Sequence, residues 1–69
     1  MIGIFKTNIT TKEDRQTILA AIQSRFEVGQ CHVDLEDCDK VLRITEMKAP
    51  EAEVISFVKG QGFDCDLLE

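Results

Sequence analysis

The sequence predicts an α+β fold with the element order βαββαβ. Three observations carry that expectation. Two segments repeat apolar residues at helical spacing: Ile18, Ile22 and Phe26 in the first, Val54, Phe57 and Val58 in the second. Between and after them the period changes to two, most clearly in Cys31-His32-Val33-Asp34-Leu35 and in Phe63 to Leu67. Polar or glycine-containing breaks separate the segments, at Val28-Gly29-Gln30, Glu36 to Lys40, and Gly62.

Taken in order, Ile2 to Thr7 is the first strand, and the polar run Thr10 to Asp14 ends it. A helix then runs from Lys12 to Phe26. Thr10 and Glu13 stand in the Ser/Thr-x-x-Glu relation of a capping box, and Thr11 offers the same cap one residue later; the spacing leaves both open. Glu13 and Asp14 also set negative charge against the positive end of the helix dipole. Gly29 is expected to end the helix in the left-handed conformation.

Strand two follows from Cys31, with Cys31, Val33 and Leu35 facing the core and His32, Asp34 and Glu36 facing water. The polar hairpin Glu36 to Lys40 leads into strand three, Val41 to Glu46, whose Leu42 and Ile44 face inward. Pro50 is expected at the first helical position, where its missing N–H costs nothing. Helix two then runs to about Gln61, where Gly62 stops it. Phe63, Cys65 and Leu67 make the last strand. Right-handed crossovers place both helices on one face of a four-stranded antiparallel sheet with strand order 4-1-3-2, the ferredoxin-like arrangement.

The 69 residues make one domain, near the lower size at which a hydrophobic core suffices without staples. With four Phe and no Trp or Tyr, that core rests on Ile, Leu and Val. The formal net charge of −5 disfavours a phosphate backbone or an anionic membrane as partner. No apolar run approaches the length of a membrane span, and no signal-peptide pattern opens the sequence, so the expected location is cytoplasmic. Three cysteines, an odd number, then read as free thiols.

Several residues resemble a known family: Ile4-Phe5-Lys6-Thr7-Asn8-Ile9, a helix bearing Ile18 and Ile22, Val33-Asp34, Asp39-Lys40-Val41-Leu42, and Gly62-Phe63. Together they resemble the heavy-metal-associated domain of copper chaperones and metal-transporting ATPases, and the likeness covers essentially the whole chain. Members of that family bind a soft monovalent ion through a Met-x-Cys-x-x-Cys loop between the first strand and the first helix. Matching the helix positions places Ile9 at the family's Met, Thr11 at its first Cys and Asp14 at its second. Neither a hydroxyl nor a hard carboxylate replaces thiolate for copper(I). The resemblance therefore implies the scaffold without its metal site, and no cofactor is expected.

The alternative is a divergent copper- or zinc-binding protein taking ligands from Cys38, His32 or another subunit. Cys31 and Cys65 are expected on opposite sheet edges, too far apart to share an ion, and Cys38 reads as a tolerated surface thiol at a hairpin tip. Thr10, Thr11, Glu13 and Asp14 fan outward on an opening helical turn, unlike the converging carboxylates that calcium needs.

No catalysis is expected. The sequence has no Ser-His-Asp order, no glycine-rich phosphate loop, and no arginine-bearing loop directly after strand one. Asp34/Glu36 and Asp64/Asp66 read as solvating charge. An amino-acid-sensing domain of similar topology would need a glycine-containing turn after strand one, and this sequence has none. Interaction with a protein is what remains. Lys12, Glu13, Asp14 and Arg15 offer a docking surface at the junction. Ile2, Ile4, Val41 and Arg43 offer a self-association face on the open side of the sheet.

Overall fold

Six elements follow one another in a computed structural model that describes residues 1–68: β1 (Gly3–Thr7), α1 (Lys12–Arg25), β2 (Cys31–Val33), β3 (Leu42–Ile44), α2 (Glu51–Gly60) and β4 (Cys65–Leu67). The strands form one antiparallel sheet in the order β2-β3-β1-β4, the expected ferredoxin-like order read from its other edge. Phe5, Val33, Leu42, Ile44 and Cys65 of the sheet, Ile18 and Ile22 of α1, and Val54 and Val58 of α2 share one buried cluster. Both helices therefore cover the same face. Phe26 and Phe57 close the outer end of the helix pair edge to face, with ring centroids 5.4 Å apart. No described helix is long and apolar enough to cross a membrane.

The helix start resolves the two capping assignments in favour of Thr11. Its hydroxyl accepts a hydrogen bond from the Asp14 amide at 3.0 Å, and its backbone is extended as a cap residue's must be. Thr11→Ala is expected to cost about 1 kcal/mol in a urea titration, while Thr10→Ala leaves the midpoint unchanged.

Several boundaries differ from the sequence reading: β2 stops at Val33, before Leu35, and β4 begins at Cys65 rather than Phe63. Helix α1 ends at Arg25, with Phe26 already extended, so Val28-Gly29-Gln30 is a link rather than the helix terminus. Gly29 is also not left-handed; among the glycines only Gly62, at φ 97°, is. What Gly29 supplies is close approach. A Cβ there would come within 2.9 Å of a Glu46 carboxylate oxygen and 3.0 Å of the Thr45 hydroxyl, while its amide donates to the Thr45 carbonyl. Pro50 precedes the first helical turn of α2 as its cap residue rather than lying inside it. Strand β3 is shorter than Val41 to Glu46 because Lys40 and Glu46 take positive φ at either side of it and turn the chain away.

Candidate functional site

Three places on this fold collect the residues that sequence analysis singled out: the β1–α1 junction, the β2–β3 loop, and the open face of the sheet. At the junction, Ile9 is fully buried and anchors the loop in the core. Thr7 does the rest of the positioning. Its hydroxyl donates to the Lys40 carbonyl and accepts from the Ile9 amide, which ties the end of β1 to the start of β3. The Asn8 side chain accepts from the Asp64 amide at 2.8 Å and ties the same loop to the approach to β4.

The junction brings Thr11 and Asp14 together, through the cap hydrogen bond already described. The Thr11 hydroxyl is committed to that amide, and no thiol or imidazole stands with it. Lys12 and Glu13 are exposed, whereas Asp14 and Arg15 are half-buried. Arg15 turns toward β2, where it lines a cavity with Leu19, Gln23 and His32. The run Lys12 to Arg15 is thus divided between two directions.

In the β2–β3 loop, ligand-type atoms of Asp37, Cys38 and Asp39 lie within 4.8 Å of one another. Loop construction accounts for the acids. Asp37 accepts from the Asp39 amide at 2.8 Å, and Asp34 accepts from the Glu36 amide at 3.0 Å, two side-chain turns of the kind Asp forms. The Lys40 ammonium donates to the Leu35 carbonyl and closes the loop. His32 is not part of that cluster. It sits in β2 opposite Arg43.

The remaining thiols are separated as the expected strand order implied. Cys31 lies in β2 and Cys65 in β4, on the two outer strands of the sheet. Burial pushes both thiols up, Cys65 to about 11. For Cys65, burial is the main cause; nearby Lys59 opposes it and Asp66 adds to it. The native state thus favours the neutral thiol. The resulting stability is fully present below the unfolded thiol's value of about 8.5 and disappears as pH rises toward 11.

A fall in urea midpoint of that origin, on the order of 2 kcal/mol between pH 9 and 11, should be absent in Cys65→Ala. Alkylation at pH 8 should modify exposed Cys38 first, Cys31 more slowly, and Cys65 only on unfolding.

On the open face, strand register arranges side chains in rows across the sheet. His32 opposes Arg43, Arg43 opposes Ile4, and the Leu68 amide donates to the Ile4 carbonyl, which extends the same row. Two residues along β1, Lys6 opposes Asp66. Ile4, Val41, Arg43 and Leu68 line one depression of about 480 Å³ together with His32, Asp34 and Asp37. Ile2, 60 % exposed, lies just before the first residue of β1.

The structure therefore brings together Ile4, Val41 and Arg43 of the expected self-association face and leaves Ile2 at its margin. Leu68 is the member that sequence reading missed. The pair Leu67-Leu68 was the available signal, since adjacent strand residues cannot both face the core.

Comparison with protein-family models, with curated proteins and with solved structures gives no match for this chain.

Proposed function

We propose that this chain is a non-catalytic interaction module, built on a scaffold that resembles the heavy-metal-associated domain but lacks that domain's soft-metal site. The observation that carries the reading is the helix cap. Where the resemblance places two metal-binding thiols, a threonine hydroxyl holds the Asp14 amide at 3.0 Å, and the junction is complete as a piece of helix-terminus chemistry. Cofactor, copper and zinc have no thiol pair to hold them there, and a hydroxyl with a carboxylate is a poor set for a soft ion. Docking through protein contacts is the family property that survives such a loss. The surfaces for it are Lys12, Glu13, Asp14 and Arg15 at the junction, and Ile2, Ile4, Val41 and Arg43 on the open sheet face. The cytoplasm is the compartment that three free thiols fit.

Anaerobic titration with silver(I) tests this directly. The expected result is no tight one-to-one complex. Tight stoichiometric binding would instead establish the alternative, a divergent metal-binding protein whose ligands come from Cys38, His32 or a second subunit. Size-exclusion mass across a concentration series separates the two surfaces: a dimer lost on Ile4→Lys places the contact on the sheet face, and a strict monomer leaves the junction.

A further inference from the structure

The depression on the open sheet face carries both signs of charge and keeps them apart. Its lining joins apolar Ile4 and Val41 to His32 and Arg43 on one hand and to Asp34 and Asp37 on the other. Strand register sets their order. His32 and Arg43 stand abreast on β2 and β3. Asp34 lies two residues on, beside Val41, to whose carbonyl its amide donates, and Asp37 lies in the loop beyond. The depression is therefore basic at one end of the strands and acidic at the other.

Among the described residues none of these four groups is in an ion pair; the one pair present joins Lys48 and Glu27. His32, Asp34 and Arg43 are exposed. Each carboxylate gives one oxygen to a loop amide, Asp34 to that of Glu36 and Asp37 to that of Asp39, which leaves its second oxygen for another partner.

This pattern discriminates between occupants. A wholly acidic segment would meet Asp34 and Asp37, and a wholly basic one would meet His32 and Arg43; like charges brought together cost affinity. A surface bearing both signs in the reverse order meets neither penalty. The same face turned end for end is such a surface. A two-fold axis running across the strands, between the His32–Arg43 row and Asp34, sets the basic end of one copy against the acidic end of the other, and does so twice. Ile2, at the margin of the depression and 60 % exposed, is covered by a second sheet and left bare by a small amphoteric ligand.

We propose that the open sheet face docks a second copy of this chain about that axis, with His32 and Arg43 of each protomer against the partner's Asp34 and the partner's Asp37. The assignment rests on the reading of the chain as an interaction module and names its partner. The Cα trace measures 26 × 25 × 20 Å, so one face offers on the order of 600 Å², the low end for a specific interface. The dimer is accordingly weak.

Sedimentation equilibrium of the full chain, with reductant present to keep Cys38 from bridging copies, is the test. The expected dissociation constant is on the order of 10 to 100 μM, weakening as salt is raised. His32→Glu/Arg43→Glu makes both ends acidic, and Asp34→Lys/Asp37→Asn makes both ends basic. Each variant alone, shown folded by its melting transition, should self-associate at least about tenfold more weakly. An equimolar mixture of the two should recover the parent's affinity, because each then meets its complement. Should the lysine variant fail to fold, Asp34→Asn/Asp37→Asn keeps both loop acceptors and should weaken the dimer likewise.

Variants that dimerise as tightly as the parent, or a mixture no tighter than its components, overturn the proposal. A monomeric parent whose melting point rises with millimolar leucine overturns it in favour of a small amphoteric ligand. A strict monomer that responds to nothing removes the second copy but leaves the interaction-module reading standing; that reading fails instead on tight silver(I) binding by the unmodified chain.

Discussion

Replacing Thr11 and Asp14 together with cysteine, in a Cys38→Ser background, is expected to turn a chain indifferent to silver(I) into one that binds it one to one. The cap geometry is the reason. The residue-11 side chain already reaches the residue-14 amide at 3.0 Å, so residues 11 and 14 stand on one opening helical turn. Sulfur atoms there would ionise more readily beside the exposed amides of the first turn, and a pair of thiolates is what a soft monovalent ion selects.

Removing the hydroxyl cap should cost the metal-free variant about 1 kcal/mol. Silver at a thousandfold excess over its dissociation constant should return about 4 kcal/mol, so the thermal midpoint falls first and then rises beyond the parent's. Chelator competition gives the stoichiometry and affinity. The parent with Cys38→Ser alone must show no such response. A variant that folds yet stays unresponsive would mean that the junction does not present these positions as the resemblance implies, and the family reading would lose its support.

That experiment depends on local features that sequence could express. Period-two alternation located β2 and β4, fourfold spacing located α1 and α2, and the Thr/Glu/Asp cluster located the helix start to within one residue. Each of these signals is carried by residues close together in the chain. What was not legible depends on residues brought together from far apart. Glu46 takes φ 51° at the exit of β3, where nothing in its chemistry announces a turn. Gly29 is required by the approach of Thr45 and Glu46, side chains that lie well beyond it in sequence.

The candidate surfaces divide in the same way. Ile4, Val41 and Arg43 could be placed on one face from alternation alone, because a strand's period fixes sidedness. The cavity joining Arg15 to His32 could not. It needs α1 laid beside the β2 edge, and the relative rotation of helix and sheet is a packing outcome that no single segment encodes.

Phe5→Ala is expected to cost about 3 to 5 kcal/mol, enough to leave a domain of this size largely unfolded at room temperature. Phe5 is fully buried in β1, an inner strand, opposite Leu42 on one side and Leu67 on the other, so no neighbour can slide in to refill its space. The ring also fills the room left by a missing side chain. Two residues earlier on the same face, a Cβ on Gly3 would meet the Phe5 ring at 2.7 Å and the Met47 sulfur at 2.8 Å.

Gly3 is thus held by its neighbours' volume, and Gly3→Ala should cost about 1 to 3 kcal/mol by overpacking. The two effects must then be coupled. In a Phe5→Leu background, where the ring is gone but the core remains apolar, Gly3→Ala should cost at least 0.5 kcal/mol less than in the parent. Urea denaturation of the four chains of that cycle gives the coupling. Strict additivity would mean that Met47 alone sets the limit at Gly3, and Met47→Ala would then be the substitution that relieves it.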